Sequence, residues 1–226
     1  MDDKLDIIKD VEVVRCAKDF TYFCENYVKI IDPKLGLINL VLHEYQKRYI
    51  KSIEENRFVI CKKFRQGGFS TLNVAWSVWR ALFHLDQRIM MLTHKDKEAL
   101  CLSAIAETIL KELPDWLKPK MSKNNDHQKY FNDTNCKLYF YQPQTACGMA
   151  MDYIFIDEAA FIPDMEKCWK DYLPTLSGGH TIICSTPNGT DNWFYKMYTE
   201  AYKFENEFHV YRCNYMQHPE YAKDSW

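Results

Sequence analysis

Three short segments of this 226-residue chain place polar or charged residues directly after apolar, β-type runs. The first segment, residues 63–71, reads KFRQGGFST and contains the only Gly-Gly pair before residue 170. A glycine-containing turn between a strand and a helix can bind an anion through backbone N–H groups and the helix N-terminus. Ser70 stands at the position where the hydroxyl of a phosphate-binding loop contacts Mg²⁺.

The same segment departs twice from the phosphate-loop pattern G-x-x-x-x-G-K-[ST]. Lys63 stands where the pattern has its first glycine, and Phe69 stands where it has lysine. A glycine-containing β–α turn with a solvated basic flank would explain the segment equally well. Residues 63–71 by themselves leave both interpretations open.

Two adjacent acids follow another apolar run. Asp157 and Glu158 come directly after residues 153–156, which read YIFI and are predicted to form a buried strand. One carboxylate there can hold Mg²⁺ through water while the next polarises an attacking water molecule. The alternative is an exposed strand end whose acids cap the start of a helix. Packing does not require two carboxylates at this position, so the catalytic interpretation is favoured.

Small hydroxyl and amide side chains follow a further apolar run. Ser185, Thr186 and Asn188 lie at or just after the end of a strand predicted over residues 181–185. Such groups beside a γ-phosphate could sense whether it has been hydrolysed. A simple Asn-Gly turn is the alternative, and for this segment alone it is the favoured one.

Tyr45 and Gln46 precede the first apolar run by about a dozen residues. The Gln46 amide offers a donor and an acceptor, which suits the edge of adenine, and the Tyr45 ring could stack on the base. The alternative is an amphipathic surface helix. Adenine contact, phosphate loop, tandem acids and phosphate sensor nevertheless occur in the order that an ATPase core would use.

Apolar runs alternate with helical patterns along most of the chain. We predict strands over residues 58–61, 88–93, 137–141, 153–156, 181–185 and 208–213. We predict helices over residues 17–27, 43–55, 71–83, 95–112 and 192–201, and a polar stretch over 117–135 with a loop signal at 124–126. This alternation indicates an α/β fold with a mainly parallel sheet, whose strands end at one shared edge.

Composition and charge exclude several classes of protein. Apolar residues make up 47% of the chain, which excludes global disorder. The net charge of −2 shows no overall basic bias, so a DNA partner would require a local patch or a ring of subunits. No apolar run is long enough for a transmembrane helix, and no secretory signal is visible. Nine cysteines without a CxxC pair favour a reducing compartment and argue against a Cys/His metal site.

From about Tyr45 to Trp226 the chain resembles the N-terminal ATPase domain of the large terminase subunit, the DNA-packaging motor of tailed phages. The phosphate loop of that family often reads K-x-R-Q-x-G-x-[ST], which residues 63–70 match with the lysine at the start. Residues 156–163, IDEAAFIP, resemble its tandem-acid segment, and residues 185–189, STPNG, resemble its coupling motif.

The resemblance implies a role for each of these residues. It implies ATP and phosphate binding by Lys63, Gln66, Gly67, Gly68, Phe69, Ser70 and Thr71, with adenine bound by Tyr45 and Gln46. It implies water-mediated Mg²⁺ binding by Ser70 and Asp157, catalysis by Glu158 and Arg65, and coupling by Ser185, Thr186 and Asn188.

The resemblance also implies the fold and the biology. We expect a P-loop NTPase of the ASCE, RecA-like type, with a helical segment over residues 1–40 packed on a motor domain over residues 41–226. ATP is the expected substrate and Mg²⁺ the expected cofactor, and hydrolysis would drive double-stranded viral DNA into a procapsid. The expected partners are double-stranded DNA, the portal protein of the procapsid, the small terminase subunit and further copies of the chain in a ring. The expected location is the host cytoplasm, with no membrane and no nuclease activity in these residues.

One departure from the family pattern concerns catalysis. The family often has Arg-Gly about ten residues before the tandem acids, and this chain has Cys147-Gly148. A cysteine cannot stabilise transition-state charge, and arginine fingers contribute about 10³ to 10⁵ in rate. Arg65 or an arginine of a neighbouring subunit would have to supply that charge, or the motor would be slow.

Two alternative functions stay open. The glutamine element and the Asp-Glu pair are shared with superfamily-2 helicases, so a helicase-like translocating ATPase is one alternative, although a helicase needs a second RecA-like domain. The other is a catalytically degenerate, nucleotide-binding packaging subunit, which would have no chemical need for Glu158.

Overall fold

The computed structural model describes residues 2–145, 149–176 and 178–221. In these residues the strands are β1 (Lys29–Asp32), β2 (Gly36–Asn39), β3 (Phe58–Lys62), β4 (Arg88–Leu92), β5 (Met121–Asn124), β6 (Gln128–Phe131), β7 (Cys136–Tyr141), β8 (Tyr153–Ile156), β9 (His180–Ser185) and β10 (His209–Arg212). The α-helices are α1 (Asp2–Lys18), α2 (Phe20–Tyr27), α3 (Glu44–Glu55), α4 (Phe69–Phe83), α5 (Asp96–Glu112), α6 (Met165–Tyr172) and α7 (Trp193–Tyr202).

An eight-stranded sheet with the order β10-β3-β9-β8-β4-β7-β6-β5 forms the centre of the fold. The strands from β10 to β7 in this order are parallel, and β6 and β5 continue the sheet with antiparallel pairs. β1 and β2 form a separate antiparallel hairpin. The α/β fold with a mainly parallel sheet that the sequence predicts is therefore confirmed.

Both faces of the sheet are covered by helices. Side chains alternate between the faces of a strand, so Cys61 and Ile182 pack into one core with α1–α5, while Ile60 and Ile183 pack into another with α6 and α7. This double burial explains why the strands read as continuous apolar runs. Within the described ranges, no helix combines the length and apolar character needed to cross a bilayer.

At the centre of the sheet, the three segments predicted to form the site begin at one edge. Lys62 of β3 is paired with Ser185 of β9, and Ile156 of β8 is paired with Ile183 of β9. These parallel strands therefore end at nearly the same level. Lys63 and Asp157, the residues that follow β3 and β8, begin their loops side by side at that edge.

The N-terminal region differs from its prediction. The helix predicted over residues 17–27 is in fact the end of α1 followed by α2, because Asp19 interrupts the helix. The Asp19 carboxylate accepts a hydrogen bond from the backbone N–H of Tyr22 and so caps α2. The division of the chain at residue 40 stays a prediction, and residues 29–39 form the β1–β2 hairpin rather than helix.

Residues 117–135 also differ from the irregular stretch suggested by their polarity. β5 and β6 lie there, joined by a turn in which Asn125 accepts hydrogen bonds from the backbone N–H groups of His127 and Gln128. The hydrophobic alternation that would identify β6 is broken by Lys129, whose side chain is only 2% exposed. Its ammonium bonds to Glu107 of α5 at 2.9 Å and to Asn124 of β5 at 2.7 Å.

Because Lys129 is buried, loss of its carboxylate partner should destabilise this hairpin more than loss of the lysine itself. Glu107→Ala leaves the Lys129 ammonium buried without its carboxylate, and we expect the free energy of unfolding to fall by about 2 kcal/mol. Lys129→Met removes the buried charge and leaves Glu107 half-exposed, so its cost should stay below about 1 kcal/mol. Urea unfolding of the two variants measures both values, and equal losses would contradict this account.

Candidate functional site

The backbone between β3 and α4 forms a sharp turn. Gln66 and Gly68 have left-handed conformations, with φ of 60° and 72°. A Cβ atom on Gly68 would lie 2.8 Å from Nε2 of Gln46, so a side chain here would displace that amide and would adopt a backbone conformation that favours glycine. α4 begins directly after Gly68, and the first N–H groups of a helix lack intrahelical partners. The turn can therefore bind a phosphate group.

Lys63 is the buried cation of the site. Its Nζ lies 2.7 Å from Oδ1 of Asp157 and 3.3 Å from Oε1 of Glu158, and its side chain is 6% exposed. Burial alone would lower the pKa of Lys63, but the attraction of the two carboxylates outweighs burial and raises the pKa above its ordinary value. Lys63 is therefore charged at neutral pH.

Asp157 and Ser70 place oxygen ligands together. The Ser70 hydroxyl donates a short hydrogen bond to Oδ2 of Asp157, and the backbone N–H of Glu158 donates to Oδ1 at 3.0 Å. Carboxylate and hydroxyl oxygens are the donor type that Mg²⁺ prefers, and Mg²⁺ is commonly held by one or two carboxylates together with substrate phosphates. The residues present thus fit the expected metal.

Glu158 is held in a fixed orientation by the segment after β9. Its Oε2 accepts hydrogen bonds from the backbone N–H of Thr186 at 3.2 Å and from the Thr186 hydroxyl at 3.1 Å. Its backbone is left-handed, with φ of 51°, which is unusual for a residue other than glycine. Strained conformations of this kind cluster at active sites.

The predicted coupling residues lie within the same hydrogen-bond network. The Ser185 hydroxyl accepts from the backbone N–H of Ala160 at 3.1 Å, and the Asn188 amide donates to the carbonyl of Ala160 at 3.2 Å. Ser185 and the segment that follows β9 are therefore hydrogen-bonded to Glu158 and to the turn beyond it.

A cavity of about 500 Å³ opens above these groups. Residues 63–71, Glu158 and Thr186 line it, so the structure brings the predicted phosphate loop, second acid and coupling threonine together. His94 and Phe161 also line the cavity and were not predicted as site residues. His94 follows β4, which is the neighbour of β8 in the sheet. Its position after a strand that ends at the same edge is the sequence signal that could have identified it as a site residue. Its Nδ1 lies 2.8 Å from Oε2 of Glu98.

Three other predicted loop residues have distinct environments. Arg65 is exposed at the cavity wall, as expected of a side chain that could reach a phosphate. Gln66 is also exposed, and its Oε1 accepts a hydrogen bond from the Tyr221 hydroxyl at 3.2 Å. The Phe69 ring is 1% exposed and packs edge-on against Tyr49, so only the backbone of Phe69 is suited to phosphate.

Tyr45 and Gln46 do not line the cavity and lie beneath the loop. The Tyr45 hydroxyl and the Gln46 amide both donate to the carbonyl of Gly67, at 3.0 and 3.1 Å. The other end of the Gln46 amide accepts from the backbone N–H of His43 at 2.9 Å. Burial and hydrogen bonding thus hold both side chains against the loop, and their contact with adenine stays a prediction.

The position that matters for an arginine finger, Cys147, lies outside the described residues. The source of transition-state charge therefore stays a prediction. Among the predicted candidates in the chain itself, Arg65 lines the cavity.

Comparison with known sequences gives the family. Residues 65–223 match the family described as "Terminase large subunit, T4likevirus-type, N-terminal". The large terminase subunit of Thermus phage G20c is 37% identical over 65 residues, which cover 27% of this chain and 13% of that protein. The sequence alignment thus spans a small part of this curated relative.

Solved structures share the fold. The large terminase of bacteriophage HK97 has a TM-score of 0.72 at 13% identity, covering 88% of this chain and 43% of that one. The large terminase ATPase domain of Thermus phage P74-26 has a TM-score of 0.65 at 17% identity, covering 80% of this chain and 85% of that one. The large terminase of thermophilic bacteriophage D6E in complex with ADP has a TM-score of 0.58 at 14% identity, covering 76% and 45%. Since the family match extends over more than half of the sequence, this chain belongs to the large terminase subunit family, in its N-terminal part.

Proposed function

We propose that this chain binds and hydrolyses Mg-ATP, and that hydrolysis drives double-stranded viral DNA into a procapsid. The observation that carries the proposal is the convergence of Lys63, Asp157 and Glu158 beside a glycine loop and a helix N-terminus. Two related structures support a nucleotide as ligand, because one is an ATPase domain and the other contains ADP.

The loop and its lysine bind the phosphate groups. The backbone N–H groups at the start of α4 and the ammonium of Lys63 together provide a positive field for a triphosphate. Lys63 lies at the end of β3 rather than at the start of α4, and Phe69 fills the usual lysine position as a buried ring. The displaced lysine is thus the cation of this loop.

Glu158 activates the attacking water molecule. A carboxylate that accepts a proton from water contributes about 10² to 10⁴ in rate when it is correctly placed. The two hydrogen bonds from Thr186 hold one Glu158 oxygen, which orients the carboxylate toward the cavity that both residues line. Arg65 is the candidate for contact with the γ-phosphate.

Asp157 and Ser70 are the residues that would hold Mg²⁺. The ion, when bound, neutralises charge on the β- and γ-phosphate oxygens. A purely nucleotide-binding subunit would need the loop and Asp157 but not an oriented second acid. The fixed orientation of Glu158 therefore supports hydrolysis over binding alone.

Coupling to DNA would begin at the segment after β9. Thr186 contacts Glu158 and Asn188 contacts Ala160, so a change at the γ-phosphate can reach this segment directly. DNA contacts should be to phosphates and sensitive to salt. With a net charge of −2, a single copy should bind DNA weakly. Weak binding by one copy is compatible with a motor in which several copies form a ring on the portal, together with the small terminase subunit.

Phosphate release from Mg-ATP tests the proposed hydrolysis. We expect turnover by the purified chain, a loss of at least about 10²-fold in Glu158→Gln with nucleotide still bound, and a loss of both binding and turnover in Lys63→Ala. Lys62→Ala is the matched control, because Lys62 lies over the Tyr198 ring and outside this network.

The same assay is repeated over a range of protein concentrations. Specific activity that rises with concentration would indicate that a neighbouring copy supplies the arginine absent at Cys147. Turnover that persists in Glu158→Gln would rule out the assigned base. ATP binding without turnover at any concentration would instead favour the nucleotide-binding subunit.

Thr186→Val tests the orientation of the base. The substitution keeps the shape and the backbone N–H of residue 186 but removes the hydroxyl that donates to Glu158. We expect kcat to fall about tenfold with little change in ATP affinity, since a hydrogen bond to a charged group contributes about 1.5 kcal/mol or more. Thr190→Val, in the exposed loop nearby, is the control. An unchanged kcat would show that the hydroxyl does not position Glu158.

Gln46→Ala separates loop support from adenine recognition. If the amide supports Gly67, affinities for ATP, GTP and inorganic tripolyphosphate should all fall by about tenfold, because the loop loses a buried hydrogen bond. If the amide contacts adenine, the affinity for ATP alone should fall. Isothermal titration with the three ligands distinguishes the two roles.

A further inference from the structure

The ammonium of Lys63 lies between the two carboxylates that the proposed mechanism assigns to metal and water. Its Nζ contacts Oδ1 of Asp157 and Oε1 of Glu158 at 2.7 and 3.3 Å. The side chains of Lys63 and Asp157 are only 6% and 7% exposed. A single buried positive charge thus partly neutralises two negative charges at the place where a divalent cation would be needed.

The remaining carboxylate oxygens are also engaged. Oδ2 of Asp157 accepts from the Ser70 hydroxyl, and Oε2 of Glu158 accepts from the backbone N–H and hydroxyl of Thr186. Each of the four oxygens of the acid pair therefore has a partner. A cation that entered alone would meet the Lys63 ammonium beside the same two carboxylates.

We propose that Lys63 determines the form in which substrate enters: it excludes a free divalent cation, so the site accepts the metal only together with a nucleotide, as one metal–nucleotide chelate. This inference rests on the proposed Mg-ATP site. It adds that the lysine selects the chelate as the substrate, in addition to holding phosphate.

The exclusion follows from the cost of leaving Lys63 unpaired. A free cation that bound the acid pair would either lie beside the ammonium, which would repel it, or displace the ammonium, and a buried ammonium without a carboxylate is strongly unfavourable. Mg²⁺ also gives up its water reluctantly. Two unfavourable changes would therefore accompany the entry of the ion alone.

A chelate removes this obstacle because it brings phosphate oxygens with the metal. Lys63 can exchange its two carboxylates for phosphate, so the ammonium keeps anionic partners while the acids become free for the cation. The position of Lys63 directly after β3 keeps the exchange local. Its backbone is fixed beside β9 by the N–H bond to the Ser185 carbonyl at 3.0 Å, so the side chain alone has to move.

Binding of Mn²⁺ to the nucleotide-free chain tests the inference without requiring hydrolysis. Mn²⁺ favours the same oxygen ligands as Mg²⁺, and its free concentration is measured by electron paramagnetic resonance. We expect wild type to bind Mn²⁺ weakly and Lys63→Met to bind one ion at least about tenfold more tightly, because the buried Asp157 and the partly buried Glu158 have lost their cation. Lys62→Met, at the preceding lysine, should behave as wild type.

Two further variants keep the test decisive if Lys63→Met fails to fold, as judged by thermal unfolding. Lys63→Gln retains a donor for Asp157 without the charge, and it should also gain Mn²⁺ binding. Lys63→Arg retains the charge and should not. Adding Asp157→Asn to Lys63→Gln should abolish the gained binding, which assigns the ion to this pair.

The inference is overturned if nucleotide-free wild type binds Mn²⁺ as tightly as folded Lys63→Gln, or if the charge-free variants gain nothing. These outcomes are separate from the failure of the proposed function. Absence of ATP turnover together with the expected Mn²⁺ pattern would reject catalysis and retain the cation exclusion. ATP turnover together with tight Mn²⁺ binding by wild type would retain catalysis and reject the cation exclusion.

Discussion

The arrangement of the site depends on the contact of one buried ammonium with two carboxylates. Lys63, Asp157 and Glu158 carry a formal net charge of −1, and burial of such a group is tolerated only when its oxygens and protons have partners. Ser70 supplies one remaining hydrogen bond and Thr186 supplies two. The three charged residues and these two partners come from four different segments, so the charge cluster requires β3, β8, β9 and α4 to be correctly arranged together.

The register of the parallel strands provides that arrangement. β3, β9 and β8 are buried on both faces and end at nearly the same level, so the loops that follow them start at fixed and neighbouring points. Double burial also produces the continuous apolar runs that made these strands predictable from sequence. For the same reason the sequence alone predicts that the loop, the tandem acids and the small polar segment lie at one edge of the sheet.

Other features depended on tertiary contacts that no local pattern expresses. Lys129 is a charged residue at a buried strand position, and only its pairing with Glu107 makes that burial acceptable. The Gln46 amide has the donor and acceptor that suit adenine, yet the approach of Gly67 and His43 commits both groups to the protein itself. His94 was not predicted as a site residue, and its place in the cavity follows from the adjacency of β4 and β8. In each case the residue type was compatible with several environments, and the fold selected one.

The left-handed backbone of Glu158 has a consequence for how this domain can change over generations. A non-glycine residue at φ of 51° carries backbone strain, in general about 1 kcal/mol or more, and glycine would relieve it. The replacement that most relaxes the chain here is therefore the one that deletes the carboxylate. Selection for thermal stability and selection for turnover act in opposite directions at this position, and a lineage released from the need to hydrolyse ATP would tend to lose its acid here first.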